Sequence, residues 1–135
     1  MQREPEHAII EPGDLHGQFR RFHANVTRYA TGFEDMVVTP LSGALPAEFD
    51  VALGRTRVRL SVSAPAGRPH DAVLACHRLP ADGAKAPLHV ASTTISPGQG
   101  ELGLCDHRQR ALQLVWPGTV RHVLTPWLLV AMGLN

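Results

Sequence analysis

From Arg57 to Ser63 hydrophobic and polar residues alternate without a break: Val58, Leu60 and Val62 fall between Arg57, Arg59, Ser61 and Ser63. A period of two is the strand period, since successive side chains point to opposite faces. One face must be core and the other wet. That pattern belongs to an antiparallel sheet with one covered face rather than to a parallel sheet buried on both.

Similar short apolar runs recur from Met36 to Trp116, each closed by Gly or Pro. Met36–Thr39 precedes Pro40. Phe49–Leu53 reaches Gly54-Arg55, a two-residue connection of hairpin type leading into Thr56–Ala64. Ala72–Leu79, Leu88–Ile95, Glu101–Cys105 and Ala111–Trp116 are further strand candidates, the last two forming a hairpin across Asp106–Arg110. Neighbouring strands in succession predict a mainly antiparallel twisted sheet.

Helical spacing flanks this region. Leu15, Phe19, Phe22, Val26 and Tyr29 are separated by four, three, four and three residues, the seam of an amphipathic helix. Asp14 stands at the N-cap position and Gly32 at the stop. Near the other end, Thr125-Pro126 reads as a helix start and Gly133 as its end. Residues 119–124 read equally as strand or helix. Trp127–Met132 is apolar on every side, which suits either a buried helix or an interface.

The expected fold is α+β: an N-terminal helix packed on the antiparallel sheet, with a short apolar C-terminal helix. The alternative is an all-β sandwich or barrel in which residues 19–30 are a strand. Residues 1–14 are expected to be an arm, with a short strand around His7–Ile10, and 15–135 a single domain. The expected core is Phe19, Phe22, Val26, Val58, Leu60, Val62, Val73, Leu112, Leu114 and Leu129.

Charge excludes some functions. Thirteen basic and 12 acidic residues leave a net charge of +1, too little for general nucleic-acid binding, which draws on many neutralised phosphates. Acidic residues crowd the first 14 positions. None follows Asp106, whereas Arg108, Arg110 and Arg121 do. Two cysteines do not form a disulfide framework. No stretch reaches the roughly 18 apolar residues of a membrane span, and no hydrophobic leader is visible. A cytoplasmic protein with reduced thiols is the expectation.

Several motifs match a functional spacing without the chemistry behind it. Gly98–Gly103 spells G-x-G-x-x-G, yet it lacks room for βαβ units and an acidic residue about 20 positions on. It reads as a Gly-rich turn before a strand. Eight histidines invite a metal reading. Cys76 and His77 would point to opposite faces of a strand. Cys105 and His107 could share one, with Asp106 between them and His70 or Asp71 as further donors. The C-x-x-C and H-x-x-x-H frames are absent, so neither metal nor cofactor is expected. His16 and His23, seven apart, border the apolar seam without ligand spacing.

Three functions follow from these residues. The first is a non-enzymatic protein-interaction module: an adaptor, assembly factor or small regulatory subunit. Its partner or second copy would meet Trp127, Leu128 and Met132. The second is a small enzyme or ligand-binding domain using His77, Cys105, Asp106 and His107 in a sheet-lined pocket. The third is an anion or nucleic-acid binder using Arg55, Arg57 and Arg59, expected to project from one sheet face. The balance leans away from an enzyme.

Overall fold

The computed structural model describes residues 10, 12–64, 72–83, 85–98 and 100–133. It consists of α1 (Pro12–Ala30), seven strands and α2 (Pro117–Gly133). The strands are β1 (Met36–Val38), β2 (Ala47–Leu53), β3 (Thr56–Ser63), β4 (Ala72–Arg78), β5 (Leu88–Pro97), β6 (Leu102–Cys105) and β7 (Ala111–Gln113). They form one sheet in sequential order, every neighbouring pair antiparallel. This is the expected α+β fold. The all-β alternative fails because residues 19–30 are helical.

Local chemistry explains these elements. Most of the expected seam of α1 is its buried stripe: Leu15, Phe19, Phe22 and Val26 are buried, together with Ala30, while Tyr29 is partly buried against the core. The helix starts at Pro12, inside the segment expected to be an arm. Proline has no N–H to lose at a first helical position, and Asp14 lies in the first turn, where a carboxylate meets the positive end of the helix dipole. Ile10 is also buried. The rest of the strand expected at His7–Ile10 lies outside the described residues.

Gly54 and Arg55 make the two-residue turn between β2 and β3. Gly54 has φ of 60°, a left-handed conformation that costs a residue with Cβ but not glycine. Its N–H donates to the Asp35 carbonyl, which ties the turn to the loop before β1. The expected turn stands just before β6: the Gly98 N–H donates to the Glu101 carbonyl, and the strand, not a helix, follows at Leu102.

Both helices pack on one face of the sheet. Phe49 and Val51 of β2, Val58, Leu60 and Val62 of β3, and Leu74 and Cys76 of β4 meet them in a single core. Phe49 sits at its centre, 5.5 Å from Phe19 and 6.3 Å from Phe22 between ring centroids. His23 lies edge-on at 4.7 Å and its Nε2 is 2.8 Å from the Thr39 carbonyl oxygen. The helices are joined by a hydrogen bond between the Tyr29 and Thr125 hydroxyls, 3.1 Å. Asn25 Nδ2 also donates to the Val115 carbonyl, 3.0 Å.

Three core expectations need correction. Val73 is on the helix-free face. Apolar Val73 and Leu74 are adjacent, so alternation alone does not say which faces in. The pairs Leu60↔Cys76 and Val62↔Leu74 decide it. Leu129 is 64% exposed. Leu112 is only partly buried against the core.

The largest correction concerns α2, which begins at Pro117 rather than at Thr125-Pro126. Pro117 provides the same kind of start as Pro126. The Thr119 hydroxyl donates to the Gln113 carbonyl, 2.6 Å, and the Thr119 N–H to the Trp116 carbonyl, 3.1 Å. Pro126 is therefore inside the helix, where it has no N–H to give the carbonyl of His122 four residues earlier.

Candidate binding cleft

The sheet parts between β5 and β6. β5 pairs with β4 along most of its length, whereas its pairing with β6 consists of Ser96↔Gly103 and Pro97↔Leu102. On the N-terminal side of Ser96 the ladder between them stops. The Thr93 hydroxyl bridges the opening by donating to the Cys105 carbonyl, 3.2 Å.

The central part of α2 covers this opening on the helix side and leaves a cleft of about 240 Å³. Val123, Pro126 and Trp127 supply its apolar wall. His122, Ser92, Thr93 and the segment around Cys105–Gln109 supply polar groups. A cavity of about 150 Å³ accommodates benzene, so a single-ring molecule fits here. On the helix-free side, a more open depression of about 520 Å³ shares Ser92, Thr93, Cys105 and Gln109 with the cleft.

Asp106 organises the polar rim. Its Oδ1 accepts the backbone N–H groups of Arg108, 2.9 Å, and Arg110, 2.8 Å. Its Oδ2 accepts Arg110 Nε, 3.0 Å. The Asp106 N–H donates to the Arg110 carbonyl, closing the loop. Gln109 adopts a left-handed φ of 64° within it.

Burial acts on the Asp106 carboxyl most strongly and favours its neutral form, but these donors together outweigh it. Its pKa is held below the usual carboxylate value. A carboxylate with a depressed folded pKa stabilises the native state above its unfolded value and ceases to do so as pH falls through the folded one. Acidification below the ordinary carboxylate range should therefore loosen residues 106–110. Their amide hydrogen exchange, corrected for the intrinsic pH dependence, should rise there while the loop between β2 and β3 is unchanged. Retained protection below the folded pKa would contradict the assignment.

The cleft gathers three of the expected site residues, Cys105, Asp106 and His107. His77 is elsewhere. It projects from the helix-free face beside His89, ring centroids 5.4 Å apart. His122, Gln109 and Trp127 complete the cleft but were not expected there. His122 falls in the segment whose strand or helix state the sequence left open. Among the described residues no group of three or more His, Cys, Asp or Glu side chains is arranged to hold a metal ion; His70 and Asp71 lie outside them.

The two thiols differ sharply. Cys76 is buried in the core, and desolvation pushes its pKa up to about 12. Cys105 is exposed. In the native protein a disulfide reagent at neutral pH should titrate one thiol rapidly, and both after denaturation. Cys105→Ser should abolish the rapid phase; two rapidly reacting native thiols would contradict this placement.

The arginine stripe is not three free cations on one face. Arg55 belongs to the β2–β3 turn rather than to the strand. Arg59 donates through Nε to Asp50 Oδ1, 2.8 Å, and through an Nη to Oδ2, 3.2 Å, with Glu48 3.5 Å away. Its pKa is raised, chiefly by the hydrogen bond to Asp50. Only Arg57 combines a strand position with an exposed side chain. Of the expected interface residues, Trp127 and Leu128 are buried while Met132 is exposed. The exposed apolar residues of the same helical segment are Leu129, Val130 and Met132.

Compared with family models, curated proteins and solved structures, the chain matches none. Among the described residues no helix is long and apolar enough to cross a membrane. The fold is an α+β domain in which a seven-stranded antiparallel meander carries two helices on one face.

Proposed function

We propose that this chain is a non-enzymatic ligand-binding domain whose site is the cleft between α2 and the parted strands β5 and β6. The observation that carries this reading is the convergence of an apolar wall with polar groups over a gap in the sheet. Ligand sites commonly join apolar walls to a few fixed polar groups. Binding is favoured over catalysis because the rim carboxylate, Asp106, is already engaged by two backbone N–H groups and by Arg110. General-base work would require that carboxylate, or a histidine oriented by it, to reach a substrate.

Titration of the full chain with benzyl alcohol, followed by two-dimensional NMR, tests the site. Saturable shifts should centre on residues 91–93, 105–109 and the Trp127 indole. Ala91→Leu places extra carbon in the cleft and should weaken binding by about tenfold or more, with its melting curve serving as the fold control. Shifts confined to another surface, or full affinity in a folded Ala91→Leu variant, would overturn the proposal.

A second reading is self-association, favoured by the outer surface of α2. Leu129, Val130 and Met132 are exposed, and no Asp, Glu, Lys or Arg follows Arg121 in the helix. A charge-free apolar surface can meet its own copy across a two-fold axis without like-charge repulsion.

A further inference from the structure

The outer rim of the cleft carries charge that its apolar wall does not. A depression of about 410 Å³ adjoins the cleft and shares His107, His122 and Pro126 with it. Its lining adds Arg108 and Arg110 from the β6–β7 loop, Arg121 from α2, and the hydroxyl-bearing Tyr29 and Thr125. Three arginines from two elements thus line one depression.

Asp106 offsets only one of these three charges. Its side chain is fully enclosed, and it engages Arg110 through Nε alone, leaving that arginine 55% exposed. Arg108 and Arg121 are exposed, and neither has a carboxylate partner among the described residues. Two arginines without a carboxylate partner beside one that is paired leave a local positive potential, which attracts an anion. Arginine suits this role because its planar fork matches phosphate and carboxylate oxygens.

We propose that the cleft takes a small organic anion, an apolar body bearing one phosphate or carboxylate. The body occupies the wall formed by Val123, Pro126 and Trp127, and the anionic group meets Arg108, Arg110 and Arg121. This assignment rests on the cleft being the binding site, and it adds the chemical class of the ligand.

Calorimetric titration of the full chain with phenyl phosphate, benzoate and benzyl alcohol separates the two claims. One or both anions should bind at least about tenfold more tightly than benzyl alcohol. Phosphate esters are the source if phenyl phosphate leads, and carboxylates if benzoate does. Arg108→Gln combined with Arg121→Gln should bring the anions down to the affinity of benzyl alcohol and leave benzyl alcohol itself unchanged. Arg110 is kept because it also fastens Asp106. Equal affinity of all three probes, or full anion affinity in the double variant, overturns the anion assignment and leaves the cleft standing. No saturable binding of any probe overturns both.

Discussion

Phe49→Ala should lower the free energy of unfolding by about 3–5 kcal/mol, the usual cost of removing a buried aromatic ring. Phe49 is 2% exposed and is enclosed by Phe19, Phe22 and His23. Truncation loses the transfer energy of the ring and the contacts of two helical rings at once. A typical domain has only about 5–15 kcal/mol in total, so the variant should be close to the edge of folding. Phe49→Leu keeps most of the volume and should cost much less. Urea denaturation of the three proteins measures both values. A loss below about 1 kcal/mol for Phe49→Ala would mean that α1 does not pack on β2 as described.

Leu128→Asp and Leu129→Asp should differ by several kcal/mol although the positions are adjacent. Leu128 is 4% exposed and Leu129 is 64% exposed. A carboxylate at Leu128 would be desolvated without a partner, which places it among the most damaging substitutions, at about 4 kcal/mol or more. The same charge at Leu129 meets water and should change stability by roughly 0.5 kcal/mol or less. Thermal melts compare the two. Sedimentation velocity then tests self-association on the stable variant: Leu129→Asp with Met132→Asp should convert dimer to monomer. A wild-type chain that is already monomeric at high concentration would remove that reading.

This contrast shows where the sequence was informative. The strand β3 was legible because Val58, Leu60 and Val62 alternate with polar residues, and α1 because five large side chains, Leu15 to Tyr29, repeat at helical spacing. Both patterns record burial on one side only. α2 records no such contrast: Trp127 through Met132 are apolar all round. Periodicity therefore did not separate buried Trp127 and Leu128 from exposed Leu129 and Met132. Its start was ambiguous for a related reason, since Pro117 and Pro126 both suit a first helical position. The tertiary contact of Thr119 with Gln113 accompanies the earlier start.

The cleft was half legible. Cys105, Asp106 and His107 are consecutive and drew attention by residue type. His122 and Trp127 arrive from α2, and no short-range pattern connects them to a hairpin more than ten residues earlier. The parting of β5 from β6 is likewise a property of strand pairing that no local spacing encodes. Arg59 was legible in its position but not in its partner. Its alternation with Arg57 was plain, but its bidentate partner Asp50 lies on the neighbouring strand, paired with it in register.

The central claim is that the cleft beside Cys105 binds a ligand, and Cys105 itself can report on it. It lies where the cleft meets the depression on the helix-free side, lining both, and is exposed, while Cys76 is held as an unreactive thiol. The direct measurement is the rate of Cys105 alkylation by iodoacetamide, with and without saturating phenyl phosphate, read by mass spectrometry of the modified peptide. Occupancy of the cleft predicts a slowing of about tenfold or more, lost in Ala91→Leu. An unchanged rate at saturation would contradict a ligand site in this cleft.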